Sequence, residues 1–211
     1  MNALQDGQTV LFIGDSITDC DRRGGSAPYG NGYVALFREL MIARYPERNV
    51  TVMNKGIGGN RVTDLAGRWE DDVVRHKPDW LSIKIGINDL HSAIGNADGV
   101  TPERFEKIYD EILSRTFSVW KPGLILISPF YLSLDTKSGS WRSIVLERLP
   151  AYIDVVCRMA ERHGARYVPL QDIFDRHLQY REPDVFCPEP VHPYRSGHLV
   201  IAEAIMRALE A

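Results

Sequence analysis

Five short apolar runs recur along this chain, and each ends in turn-forming or small polar residues. They lie near 9–13, 50–54 (Val-Thr-Val-Met-Asn), 80–85 (Trp-Leu-Ser-Ile-Lys-Ile), 123–128 (Gly-Leu-Ile-Leu-Ile-Ser) and 165–169. Runs of this length bounded by turn residues read as buried strands. Segments with helical character separate them, near 31–45, 62–76, 102–119, 143–163 and 196–210. Thr101-Pro102 reads as an N-cap followed by proline at the first helical position. Strand–helix alternation leaves few solutions. A mostly parallel, five-stranded sheet is covered by helices on both faces, an α/β fold in three layers. The stretch 183–193 holds four prolines in eleven residues and is a loop. The length suits one domain spanning 1–211.

Composition excludes several classes. A net charge of -3 gives no general attraction to nucleic acid or to an anionic membrane. No apolar stretch approaches the roughly 18 residues of a membrane span. Met1 to Thr9 lacks the basic and apolar regions of a secretion signal. Cys20, Cys157 and Cys187 are an odd number without metal-type spacing and read as reduced thiols of a cytoplasmic protein. No metal-ligand cluster is evident, and no cofactor is expected. Gly56-Ile57-Gly58-Gly59-Asn60-Arg61 begins like a dinucleotide fingerprint. It has Arg61 at the third glycine position and follows the second strand rather than the first.

Right-handed crossovers bring the ends of parallel strands to one sheet edge. Ser16 follows the first strand, Gly56 to Asn60 the second, Gly86 to Asp89 the third, and Phe130 and Tyr131 the fourth; His192 lies in the loop before the last helix. That edge is where open α/β sheets bind ligands. Ester cleavage needs an activated nucleophile, a base oriented by a third group, and donors for the developing oxyanion. Ser16 can be the nucleophile and His192 the base. Glu189, three residues earlier, can fix the imidazole tautomer, with Asp184 as the rival carboxylate. The backbone N–H groups of Ser16 and Gly59 and the Asn88 amide can form the oxyanion hole. Each has a plainer reading. Ser16 or Asp15 could simply cap a helix. Gly58-Gly59 could be a tight turn, and Asn88-Asp89 a cap or Asx-turn. His91 and His198 are competing imidazoles, while His76, His163 and His177 fall in helical patterns and read as surface residues.

Gly14-Asp15-Ser16-Ile17-Thr18, Gly59-Asn60, Gly86-Ile87-Asn88-Asp89 and the carboxylate-x-x-His-Pro element ending at Pro193 together resemble the four blocks of the SGNH hydrolase (GDSL esterase) superfamily. The resemblance implies a flavodoxin-like fold. It also implies Ser16 as nucleophile, an oxyanion hole of Ser16, Gly59 and Asn88, and His192 as base. The family usually has Asp where this chain has Glu189. Asn54-Lys55-Gly56-Ile57, Arg68-Trp69, Lys77-Pro78-Asp79-Trp80 and Ser128-Pro129-Phe130-Tyr131 resemble the bacterial branch that includes intracellular acetylxylan esterases. That branch implies a short-chain, acetyl-type ester of carbohydrate such as an acetylated oligosaccharide, and a homo-oligomer. Asp15, Arg61, Tyr131 and Trp141 are expected to contact substrate. The same machinery also suits a lysophospholipase, thioesterase or aryl esterase. A non-catalytic carbohydrate-binding module is the reading in which Ser16 has no role.

Overall fold

The computed structural model describes residues 3–96 and 99–210. Five parallel strands, β1 (Thr9–Gly14), β2 (Thr51–Gly56), β3 (Trp80–Lys84), β4 (Gly123–Ile127) and β5 (Arg166–Val168), form one sheet in the order β2-β1-β3-β4-β5. This is the flavodoxin-like order, with its switch point where the chain leaves β1 leftward to β2 and later returns on the other side to β3. The central strands are buried on both faces, which explains why they read as continuous apolar runs.

Among the described residues eight α-helices accompany the sheet: α1 (Ser16–Asp19), α2 (Tyr33–Arg44), α3 (Val62–Trp69), α4 (Ile87–Gly95), α5 (Pro102–Val119), α6 (Trp141–His163), α7 (Leu170–Leu178) and α8 (Arg195–Glu210). The β1-to-β2 crossover runs opposite to the three later ones, so right-handedness puts α2 on one face and α3, α5 and α6 on the other. Packing agrees: α8 returns beside α2, while α5 lies between α3 and α6. Among the described residues no helix is long and apolar enough to cross a membrane.

The five expected strands and five expected helices are present, with three differences. The helix expected over 62–76 leaves α geometry after Trp69 and finishes as a π-helical turn, Glu70–Val74. Helices α1, α4 and α7 were not expected; α1 is a single turn of four residues, and α4 and α7 are each nine residues long and rich in polar positions. His163 is not a plain surface residue. Its ring stacks on Phe117 at 5.7 Å and its Nε2 meets Asp110 at 2.7 Å. The expected start of α5 holds: the Thr101 side chain accepts the Arg104 N–H, with Pro102 at the first helical position.

The sheet edge that matters is built from close backbone approach. Gly14 lies in register between Gly56 of β2 and Lys84 of β3. A Cβ on Gly14 would stand 2.2 Å from the Lys84 carbonyl, and one on Gly56 would stand 2.2 Å from the Asp19 N. The two glycines let the turn after β1 lie directly on the ends of its neighbours.

Candidate active site

Asp15 determines the shape of that turn. Its carboxylate is fully buried; Oδ1 accepts the Ile17 N–H at 3.0 Å, and Oδ2 lies 3.5 Å from Lys84 Nζ, which is itself fully buried. The ammonium also sits over the Phe130 ring, 5.2 Å from its centroid. Burial pushes the Lys84 pKa down, and Asp15 opposes that shift. Asp15 therefore caps α1 and faces the core. The expectation that it contacts substrate is corrected: no part of it reaches the surface.

With Asp15 as cap, Ser16 occupies the first position of α1 and its hydroxyl is left over. Ser16 Oγ lies 2.8 Å from His192 Nε2, across 176 residues of sequence. The other ring nitrogen, His192 Nδ1, lies 2.5 Å from Glu189 Oε1. Glu189 is held in turn by the backbone: Oε2 accepts the Val191 N–H at 3.0 Å and Oε1 accepts the His192 N–H at 2.7 Å. Partial burial works to raise the Glu189 pKa, but these two N–H groups and the imidazole outweigh it and hold the carboxyl below its ordinary range. Asp184 is exposed and lines a cavity of about 290 Å³ with Leu132, Arg142 and Glu189; His192 bonds Glu189 instead.

Two backbone N–H groups near the serine have no partner among the described residues. One is Ser16 N–H, at a helix start where no intrahelical acceptor exists. The other is Gly59 N–H, in a turn whose φ of +78° suits glycine. Gly58 locates this turn beside the serine: its N–H donates to Asp19 Oδ2 at 3.0 Å, and a Cβ on it would lie 3.9 Å from Ser16 Cβ. Asn88 Nδ2 donates to the Asn60 carbonyl at 3.1 Å, which uses one of its two hydrogens. Ser16, Gly59, Asn88, Glu189 and His192, spread over most of the chain, thus occupy one edge of the sheet.

Several supporting residues carried no clear signal in the sequence. Arg68 donates to the Gly14 and Lys55 carbonyls and to Asn60 Oδ1, and pairs with Asp72, so one guanidinium ties α3 to the ends of β1 and β2. Buried Asp89 accepts the Val62 N–H at 2.9 Å through Oδ1, which joins the start of α4 to the start of α3; Oδ2 is buried without a partner. Desolvation raises its pKa to about 7. His198 Nδ1 accepts the Tyr33 N–H at 3.2 Å, which leaves the proton on Nε2, 3.4 Å from Cys20 Sγ; that thiol donates to the Ile17 carbonyl at 3.3 Å. Burial pushes Cys20 up to about 12 and His198 down to about 4, so this is a neutral strut under α1 rather than an activated thiol.

The remaining expected substrate contacts divide. Arg61 precedes α3 with its guanidinium 3.6 Å from Asp64. Tyr131 is buried, and its ring meets His91 edge-on at 6.1 Å. Trp141, at the first position of α6, is 48% exposed although its ring lies 5.7 Å from His91. A cavity of about 490 Å³ lies elsewhere, between α7, α8 and the β5 edge, and none of its lining residues belongs to the serine site.

The GDSL-like lipase/acylhydrolase family matches over residues 12–200. The chain is 37% identical to the acetylxylan esterase of Geobacillus stearothermophilus over 212 residues, covering 96% of this chain and 94% of that protein. A crystal structure of an acetylxylan esterase from the same organism superposes with a TM-score of 0.87 at 35% identity, covering 99% of this chain and 97% of that one. An α/β hydrolase enzyme from the metagenome of Lake Arreo, Spain, superposes at 0.89 with 37% identity, covering 100% and 98%.

Asp89 yields a test with a defined sign. A carboxyl whose folded-state pKa is raised holds its proton more tightly when folded. Its contribution to stability is full below the ordinary carboxylate value and is lost as pH rises through about 7. Asp89→Asn keeps an oxygen for the Val62 N–H and removes this penalty. Thermal unfolding of the variant should occur at a higher temperature than wild type at pH 8, with a much smaller gain at pH 4. Equal shifts at both pH values would mean that the folded-state pKa of Asp89 is not raised.

Proposed function

Because the chain belongs to the GDSL-like lipase/acylhydrolase family, we propose that it is a serine esterase that removes short acyl groups, acetyl above all, from carbohydrate. The observation that carries this reading is the continuous contact from Ser16 Oγ through the His192 ring to Glu189, with separations of 2.8 and 2.5 Å.

The chemistry follows from those contacts. His192 Nε2 takes the Ser16 proton as Oγ attacks the acyl carbon. Glu189 holds the ring with Nε2 facing the serine and stabilises the imidazolium. Charge then develops on the acyl oxygen, where the N–H groups of Ser16 and Gly59 and the second Asn88 amide hydrogen receive it. The intermediate collapses when the alcohol leaves with the proton from His192, giving an acyl-Ser16. Water, deprotonated by the same imidazole, attacks that ester and releases the acid and free Ser16.

The acetyl and carbohydrate assignments rest on the acetylxylan esterase relative and on the half-exposed Trp141 beside the site, since an exposed aromatic ring offers a face to a sugar. The catalytic mutants solved for the Geobacillus enzyme replace a serine, an aspartate and a histidine with alanine, the aspartate three residues before the histidine. Glu189 stands at the same three-residue spacing before His192. Three free thiols support a cytoplasmic location. The exposed apolar side chains of Val185, Tyr194 and Leu199 at the start of α8 support a homo-oligomer.

Two measurements test this reading. p-Nitrophenyl acetate should exceed p-nitrophenyl octanoate in kcat/KM by at least about tenfold, and an acetylated xylo-oligosaccharide should be deacetylated where a lysophospholipid is not. Equal turnover of acetyl and octanoyl esters would favour the lipolytic reading. Separately, Glu189→Gln should lower kcat by about 10²–10⁴-fold, the upper figure being that of the analogous change in a Ser-His-Asp protease. Asp184→Asn should stay near wild type; the reverse pattern would move the orienting role to Asp184.

A further inference from the structure

His91 is the unassigned side chain closest in chemistry to the site. It lies three residues after Asn88 on α4, so the two share one helix face. Burial pushes its pKa down; the Glu189 carboxylate acts against that shift and His192 with it, which places the ring within the field of the pair. The ring is therefore neutral at neutral pH, with one N–H and one lone pair.

Unlike the other site imidazole, this ring has no hydrogen-bond partner among the described residues. Nε2 is buried without a hydrogen bond, and no described residue bonds Nδ1. A buried polar atom left unmatched is unfavourable, and a ligand group that bonds it recovers that cost. The neighbours indicate the direction from which that group would come. Tyr131 is buried and fixed on one side; Trp141 is half exposed at the first position of α6. The yielding side of His91 is thus the Trp141 side, which faces solvent.

We propose that His91 is a specificity-determining residue that hydrogen-bonds a hydroxyl of the ester's alcohol portion, with Trp141 supplying the face on which that polyol ring lies. This rests on the carbohydrate reading above and extends it. A neutral imidazole suits a hydroxyl, which both donates and accepts. An activated ester with an aryl leaving group has no hydroxyl to offer. His91 therefore separates sugar esters from aryl esters, whereas Ser16, His192 and Asn88 act on both.

The test compares kcat/KM for an acetylated xylo-oligosaccharide with kcat/KM for p-nitrophenyl acetate in wild type, His91→Phe and His91→Gln. His91→Phe keeps an aromatic ring between Tyr131 and Trp141 but loses both nitrogens. The sugar-to-aryl ratio should fall about tenfold in His91→Phe, the scale of one lost hydrogen bond, and mostly through KM for the sugar. His91→Gln retains a donor and an acceptor and should recover part of the ratio. A purely structural role would lower both substrates together, so a ratio within twofold of wild type in both variants overturns the proposal. Wild type active on p-nitrophenyl acetate but inert on the acetylated sugar overturns the carbohydrate reading and this proposal with it. Wild-type sugar activity with an unchanged ratio overturns this proposal alone.

Discussion

The buried carboxylate of Asp15 is the constraint on which the rest of the site depends. A helix start needs an acceptor for its free N–H groups, and a serine at a strand end ordinarily supplies one. Here Asp15 does so from inside the core, with Lys84 beside it. Removing one member of such a pair costs about 3–5 kcal/mol, because the other is left charged and dry. The capping task therefore stays with Asp15, and the Ser16 hydroxyl is available to His192. Had Ser16 been the cap, its oxygen would have to accept a backbone N–H while its proton met the imidazole.

The same logic of backbone-held groups extends across the cleft. Glu189 reaches the imidazole with one methylene more than an aspartate at this position, and the loop takes up the difference. Val191 and His192 donate their N–H groups back to the same carboxylate, and Tyr194 N–H closes the loop on the Phe186 carbonyl at 2.7 Å. On the other side, Arg68 ties Asn60, beside Gly59, to the end of β1, and Asp89 joins the start of α4, which bears Asn88, to the start of α3. The groups proposed to meet the transition state are set before substrate arrives, which is what electrostatic stabilisation of an oxyanion requires.

Much of this was legible in the sequence because strand ends are marked by local chemistry. Apolar runs ending at Gly14, Gly56 and Gly86 located one edge of a parallel sheet and brought Ser16, Gly59 and Asn88 to it, while His192, in the loop before the last helix, was added as the base by its chemistry and its place in the four-block pattern. What escaped depended on burial. Asp15 looked like a cleft residue because nothing in one dimension distinguishes a carboxylate facing solvent from one facing a lysine in the core. The available signal was Lys84 itself, a cation at the end of a buried, largely apolar strand. Helices α4 and α7 were missed because their polar positions resemble loops, and only packing against α6 and α8 makes them helices. His163 and His91 took their character from rings contributed by distant segments.

Covalent capture of the nucleophile tests the central claim most directly. The protein is treated with a fluorophosphonate, and the adduct is located by peptide mass spectrometry while esterase activity is followed in parallel. One adduct is expected, on Ser16, forming in step with loss of activity, with neither adduct nor turnover in a folded Ser16→Ala variant. An adduct on another residue that tracks the loss of activity, or undiminished hydrolysis by Ser16→Ala, would contradict it.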